Sequence, residues 1–315
     1  MRVAVLVPCY NEEKTIGAVV SGFRDLNSEA TIYVYDNNSS DGTARIAAEA
    51  GAVVVRERRQ GKGFVVRSMF RDIEADCYVM VDGDDTYPPG QALGLSSYVL
   101  SCEADMVIGD RLSSTYFEQN TRQFHGAGNR LVRFLVNRIF GSQVKDIMTG
   151  CRCFSRRFVK SFPVLSSGFE IETEMTIHAL DKNFLIKEVP IEYRDRCEGS
   201  ESKLSTFSDG LRVLRTILAL FRDYRPLPFF GIIALVLFLV SVVMFLPPLD
   251  EYLAVGYVYK VPTLVVSIAF GISAMLSLVC GVILDSIRTH SRQFYELALT
   301  MLDESARAGR TDERS

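Results

Sequence analysis

Three carboxylates crowd together at Asp82, Asp84 and Asp85 in the run VMVDGDDTYPP, directly after an apolar stretch. Like charges this close repel, and a cation opposite them relieves the repulsion. Carboxylate oxygens are hard ligands that suit Mg2+ or Mn2+, and such an ion can bridge carboxylates and a diphosphate. A solvated acidic loop is the plainer reading of the same run. Upstream, GKG at Gly61–Gly63 falls where a helix is expected to begin, so Lys62 and the local backbone N–H groups can meet a phosphate or a ribose there. PCYNEE (Pro8–Glu13) offers an aromatic ring at Tyr10 and polar groups at Asn11 and Glu12, and YDNNSSDGT (Tyr35–Thr43) brings Asp36 and Asp41 into one turn. Taken singly, Asn11 also reads as a helix cap and Asn37–Gly42 as turn chemistry.

Each of these polar runs follows a short stretch rich in Val, Ile and Tyr. Strands are expected at Val3–Val7, Thr31–Asp36, Ala52–Val55, Cys77–Asp82 and Asp105–Gly109, and helices at Glu13–Leu26, Thr43–Ala50, Gly63–Glu74 and Gln91–Ser101. Strand and helix in alternation imply an α/β fold with a mostly parallel sheet. Ligands of such sheets bind beyond the carboxyl ends of the strands, which is where the candidate residues fall.

Further segments complete an ordered set: IGDR (Ile108–Arg111), Gly128–Asn129, DIMTGCRCFSR (Asp146–Arg156), GFEIETEM (Gly168–Met175) and YRDRCEGSESKLSTFSDG (Tyr193–Gly210). With PCYNEE, DNNSSDGT, GKG and DGDDTYPP, the set resembles the inverting family-2 glycosyltransferases of GT-A fold. Within them it resembles the branch that acts on polyprenyl phosphates, of which dolichol-phosphate mannosyltransferase is the best-known member. The resemblance covers about residues 1–210.

It implies a Rossmann-like GT-A catalytic domain that moves a sugar from a UDP- or GDP-sugar to undecaprenyl or dolichyl phosphate with inversion. By the same resemblance Pro8, Tyr10, Asn11, Glu12 and Asp36 hold the nucleoside, Lys62 joins the donor site, and Asp82 and Asp84 face the ribose and a metal-bridged diphosphate. Arg111, Arg122 and Lys203 are the candidates for the acceptor phosphate. Asp146 orients either the sugar or one of those arginines. A phosphate acceptor is already anionic near neutral pH, so orientation and electrostatics outweigh any need for a strong general base. Two departures from the branch stand out. FHGAG follows Arg122 where a serine is common, and the aspartate segment reads D-I-M-T-G-C-R where Ser/Thr-Gly-Phe-Arg is common.

The rest of the chain is of another kind. From Pro226 to Leu249 and from Val261 to Leu284 there is no charge, and each stretch exceeds the ~20 apolar residues that span a bilayer. A buried helix pair in a soluble core is the alternative. Arg222 and Arg225 precede the first stretch, Arg288 and Arg292 follow the second, and the link between them carries Lys260 against Asp250 and Glu251. The positive-inside rule then puts both termini in the cytoplasm, at the cell or endoplasmic reticulum membrane. Upstream, Leu211, Leu214, Ile217, Leu218 and Phe221 share one helical face opposite Arg212, Arg215 and Arg222, as an interfacial helix would. The expected organisation is a catalytic domain at 1–205, a juxtamembrane helix at 206–225, a two-helix hairpin at 226–285 and a cytoplasmic tail at 286–315. The expected partners are a nucleotide sugar, a lipid phosphate, the membrane and, through the apolar helices, a second copy of the chain.

Composition removes other classes. Lys and Arg number 35 against 38 Asp and Glu, which lacks the basic excess of a nucleic-acid binder. Seven cysteines show no framework spacing, so a reducing compartment fits, and the lone C-x-C at Cys151 and Cys153 has too few neighbours for zinc. No signal peptide is expected, since Met1 leads straight into RVAVLV. A processive polysaccharide synthase shares the early motifs, but its Q-x-x-R-W element needs a Trp and the chain has none. A dinucleotide oxidoreductase needs G-x-G-x-x-G after a strand, and the near match at Gly126 lacks the third Gly. A non-catalytic membrane scaffold with a degenerate donor site would not need the complete acidic and basic sets.

Overall fold

The computed structural model describes residues 1–27, 29–113, 123–168, 170–194, 215 and 217–312. The chain divides into two compact units, Met1–Ile217 with Leu302–Ser315, and Leu218–Met301.

The first unit is built on seven strands: β1 (Val3–Cys9), β2 (Thr31–Asp36), β3 (Val53–Arg56), β4 (Cys77–Met80), β5 (Met106–Asp110), β6 (Arg152–Ser155) and β7 (Ile186–Pro190). They lie in the order β3-β2-β1-β4-β6-β5-β7. Every pairing is parallel except those of β6, which runs antiparallel to both β4 and β5. The other six therefore share one carboxyl edge. The helices among the early strands are α1 (Ile16–Leu26), α2 (Thr43–Glu49), α3 (Lys62–Asp72), α4 (Pro89–Gly94) and α5 (Ser96–Leu100). α6 (Gln123–Phe140), α7 (Arg156–Ser161) and α8 (Ile171–Asp181) follow. The expected Gln91–Ser101 helix is thus two short ones. Pro89 suits a first helical turn, and Gly94 is the weak helix former at which the first of the two ends. The apolar strand runs form a dry layer: Val5, Val7, Val79, Val81 and Val107 are buried with Phe23 and Val20 of α1.

Apolar strands buried on both faces are what a parallel sheet demands. Cys151 and Cys153 belong to this core, and the Cys77 and Cys153 sulfurs lie 3.2 Å apart. The buried C-x-C is structural here, because its thiols are held as small apolar groups.

The second unit contains α9 (Pro226–Val255) and most of α10 (Val261–Asp312). Both are long and apolar enough to cross a membrane, with mean hydropathy 3.0 and 2.3. Only 6% and 17% of their apolar windows are buried, which rejects the soluble-core alternative. α9 runs past the charge-free stretch and through Pro247 and Pro248, so the turn is shorter than expected. It stops at Gly256, whose left-handed φ of 71° lets its N–H reach the Tyr252 carbonyl at 2.8 Å. Residues 217–224 are helical as well. Leu211, Arg212 and Leu214 lie outside the described residues.

Candidate functional site

The register of the sheet decides which polar runs meet. Cys9 of β1 pairs opposite Asp36 of β2, so the loops after these strands lie side by side. Asn11, at φ 53°, donates its backbone N–H to the Ser39 hydroxyl at 2.9 Å, and its side-chain oxygen accepts from the Ser40 N–H at 2.8 Å. The Asn11 side chain thus clasps the second loop. Asn37 does the same toward the third: its amide donates to the carbonyls of Glu57 (3.2 Å) and Arg59 (2.7 Å) and accepts from the Gly61 N–H (2.7 Å). Pro8 lies within β1, the Asp36 carboxylate is buried and accepts from the Ser39 N–H, and Tyr10 keeps an exposed ring beyond the strand. The Glu12 N–H is held by the Thr43 hydroxyl.

Lys62 opens α3, and its surroundings differ from a lone cation waiting for phosphate. Its ammonium lies 2.6 Å from Asp82 Oδ1 and 2.6 Å from Glu172 Oε1. The glycines of GKG permit this approach. A Cβ on Gly61 or Gly63 would lie 2.1 or 2.0 Å from the Ser167 or Ser166 carbonyl oxygen, so only glycine lets that loop close on the start of α3. The loop is fixed from its other side by Glu174, whose carboxylate accepts from the N–H groups of Leu165 and Ser166. Burial pulls the Lys62 pKa down, but Asp82 and Glu172 more than offset this and hold it above its ordinary range. Burial also raises the Glu172 carboxyl against the opposing pull of Lys62.

Asp82 stands just beyond β4, and its second oxygen lies over Gly150. A Cβ at Gly150 would be 2.1 Å from Asp82 Oδ2, so the TGC turn carries glycine to make room for the carboxylate. Tyr87 ties the two segments, meeting Thr149 Oγ1 at 3.3 Å and accepting from the Gly150 N–H at 3.2 Å. Asp84 is buried and accepts from the Thr86 hydroxyl at 2.7 Å, while Asp85 takes φ 57°. Burial raises the Asp85 carboxyl above its ordinary value.

Arg111 follows β5 on the same edge. Its Nε donates to Asp146 Oδ2 at 2.9 Å and an Nη to the Met148 carbonyl at 3.1 Å, and its guanidinium lies 5.7 Å from the centre of the Tyr193 ring. Tyr193 in turn packs edge-on against Tyr87. Asp146 is fully buried, and its Oδ1 has no hydrogen-bond partner. Asp146 is thus paired with Arg111.

The two clusters expose opposite charges. In the first the cation is enclosed: Lys62 is 10% exposed, Glu172 5% and Asp82 30%, so the accessible group is a carboxylate. In the second the anion is enclosed: Asp146 is 0% exposed and Arg111 15%, so the accessible group is a guanidinium. Arg122 and Lys203 lie outside the described residues. Among the described residues no three His, Cys, Asp or Glu side chains gather round one point. A divalent ion held by one or two carboxylates and completed by substrate phosphates needs no such cluster, and the hard oxygens of Asp82 and Asp84 fit that mode.

Sequence reasoning did not single out Glu172 or Arg152. Glu172 sits inside the GFEIETEM segment, and a cation as enclosed as Lys62 demands a second carboxylate. Arg152 is wholly buried, donating to the carbonyls of Thr149 and Ile147 and to the Thr176 hydroxyl. It fixes the 147–149 turn that carries Gly150 to Asp82. The signal for it was an arginine inside an apolar strand run, CRCF.

Residues 4–162 match the family described as glycosyl transferase family 2. Glycosyltransferase AglJ of Haloferax volcanii is 35% identical over 230 residues, 73% of this chain and 75% of that one. The dolichyl-phosphate hexose transferase of the same organism is 29% identical over 222 residues, 70% of this chain and 95% of that one. Among solved structures, the glucosyl-3-phosphoglycerate synthase of Mycobacterium tuberculosis, crystallised with Mn2+, UDP-glucose and phosphoglyceric acid, superimposes with TM-score 0.58 at 23% identity. That match covers 70% of this chain and 79% of the other.

Proposed function

Because the chain belongs to glycosyl transferase family 2 and has a GT-A fold, we propose that it transfers a sugar from a UDP- or GDP-sugar to a polyprenyl phosphate with inversion. The observation that carries this reading is the pair of clusters on one sheet edge, one exposing the Asp82 carboxylate and the other the Arg111 guanidinium. Tyr10, Asn11, Glu12 and Asp36 hold the nucleoside at the ends of β1 and β2. Asp82 and Asp84 are the residues that would hold Mg2+ or Mn2+ with the donor diphosphate. A bound divalent ion offsets the charge that develops on the departing nucleotide. Lys62 and Glu172 keep Asp82 in place. Arg111, fixed by Asp146 and by the Met148 carbonyl, brings the acceptor phosphate toward the anomeric carbon, with Arg122 and Lys203 completing the basic side. Holding two anions in line in this way supplies the orientation and electrostatic parts of catalysis.

The acceptor is lipid on this reading because α9 and α10 are apolar and exposed, and because a relative covered almost end to end is named a dolichyl-phosphate hexose transferase. Arginines flanking the outer sides of the two charge-free stretches support a cytoplasmic catalytic unit and cytoplasmic termini by the positive-inside rule. The test presents membranes holding the chain with labelled nucleotide sugars and polyprenyl phosphate. Acid-labile label extracted into organic solvent is the expected result. Label that passes only to water-soluble acceptors, or that grows into polymer, overturns the proposal.

A further inference from the structure

α10 continues well beyond the stretch that a bilayer can cover. Its 52 residues extend ~78 Å at ~1.5 Å per residue, against ~30 Å of hydrocarbon. From Ile283 onward it carries an apolar seam. Ile283, Ile287, His290, Phe294, Leu297 and Met301 succeed one another in alternating steps of four and three, the spacing of core positions in a left-handed coiled coil. All are exposed, Phe294 at 71% and Met301 at 70%. The opposite face, through Asp285, Arg288, Arg292, Tyr295 and Leu299, is the less exposed one, so the helix presents its apolar side outward. In water that arrangement is costly unless something covers it.

We propose that the seam pairs with the same seam of a second copy, as a parallel two-stranded coiled coil rising from the membrane, an inference that rests on α9 and α10 spanning the bilayer. The charge pattern favours an identical partner. In a parallel pair of identical chains each g position lies beside an e position of the partner, so flanks charged alike would repel. The flanking positions Leu284, Ser286, Ser291, Gln293, Ala298 and Thr300 carry no charge, and Asp285, Arg288, Arg292 and Glu296 all lie off the seam. A run this short is marginal as an isolated coiled coil. Two copies anchored in one bilayer meet at the same depth and in the same direction, which raises their effective concentration without any new contact. His290, the polar residue at a core position, is of the kind that fixes register. Cys280 lies one step further back along the same seam and is an exposed free thiol.

The experiment uses the full chain in native membranes and reads association, not sugar transfer. Sedimentation with membranes that resists alkaline washing is scored first, so a failure of the spanning reading shows separately. Oxidation should join two chains through Cys280, giving a product of twice the chain's mass that Cys280→Ser abolishes. With Cys102, Cys197 and Cys280 all changed to Ser, single cysteines placed from residue 290 to residue 301 should cross-link with the coiled-coil period. Positions 290, 294, 297 and 301 should give at least tenfold more dimer than 292, 296 and 299. Phe294→Glu with Leu297→Glu should leave monomers in lipid discs. A flat or absent cross-linking profile, adducts of another mass, or a dimer that survives the double glutamate variant would overturn the proposal. The cysteine scan substitutes one position at a time and its seam positions are all exposed, so it decides the matter even where the double variant is poorly produced.

Discussion

The two charged clusters on the carboxyl edge are built from the same kinds of groups and behave as mirror images. Around Lys62 two carboxylates enclose one cation, and the more exposed group is a carboxylate, Asp82. Around Asp146 a cation and a buried anion pair, and the more exposed group is the cation, Arg111. Burying the counter-ion in each case keeps the accessible charge oriented while the fold, not the ligand, carries the desolvation cost. An ion pair is therefore no sign that a site is neutralised. What matters is which partner the fold leaves accessible.

The sharpest way to break this contrast is to remove charge from the acidic side. Asp84→Asn keeps the shape of the loop, and transfer should fall by about 10²–10³-fold, the scale for losing one preorganised electrostatic group. A chelator of divalent ions should abolish wild-type turnover, and full activity in excess chelator would remove the metal from the reading. On the basic side the effect should be smaller and should fall on the other substrate. A charge-assisted hydrogen bond contributes about 1.5–3 kcal/mol, so Arg111→Ala should lower kcat/KM for polyprenyl phosphate roughly ten- to a hundredfold. Nucleotide affinity should stay near wild type. Asp146→Asn should act in the same direction and less strongly, because the Met148 carbonyl still holds the guanidinium. If either variant weakened nucleotide binding instead, the division of the edge into donor and acceptor sides would fail.

Gly150→Ala tests the seam between the clusters. The added carbon would fall 2.1 Å from the Asp82 carboxylate, so Asp82 must shift. Activity should drop about tenfold, a misplacement cost, with thermal stability nearly unchanged. Equal loss of stability and activity would point to a packing role instead.

The smallest effect concerns a buried titratable group in an aromatic setting. His178, on α8 with Glu172, packs among the rings of Phe158, Phe162 and Phe184. Burial lowers its pKa from 6.5 to about 3. Between those values the unfolded chain binds a proton that the native chain does not. The stability from neutral His178 is therefore full above pH 6.5 and is lost as pH falls through that window, by at most about 1.4 kcal/mol per pH unit. Thermal midpoints should fall between pH 7 and pH 5, and His178→Leu should flatten that fall. An unchanged slope would show that other groups set the acid sensitivity.

The sequence alone determined the parts that depend on neighbours in the chain. Short apolar runs of Val, Ile and Tyr became β1 to β5 with small shifts at their ends, and charge-free stretches became α9 and α10. Polar runs after strands came to lie along one carboxyl edge, because periodicity and composition act over a few residues. β6 and β7 were not expected, since four or five residues of mixed polarity carry little periodic signal. Which partner each charge takes was likewise illegible. Lys62 reads locally as a phosphate ligand, and only the fold brings Glu172, at the start of α8, to it. Asn11 reads locally as a helix cap, and only the β1–β2 register turns it into a clasp on the next loop. Arg111 and Asp146, 35 residues apart in sequence, meet because the antiparallel β6 returns the chain between β4 and β5. Charge–charge contacts depend on distance in space, and sequence fixes that distance only within one element. The tertiary fold therefore decided which charges stay accessible and which are enclosed by each other.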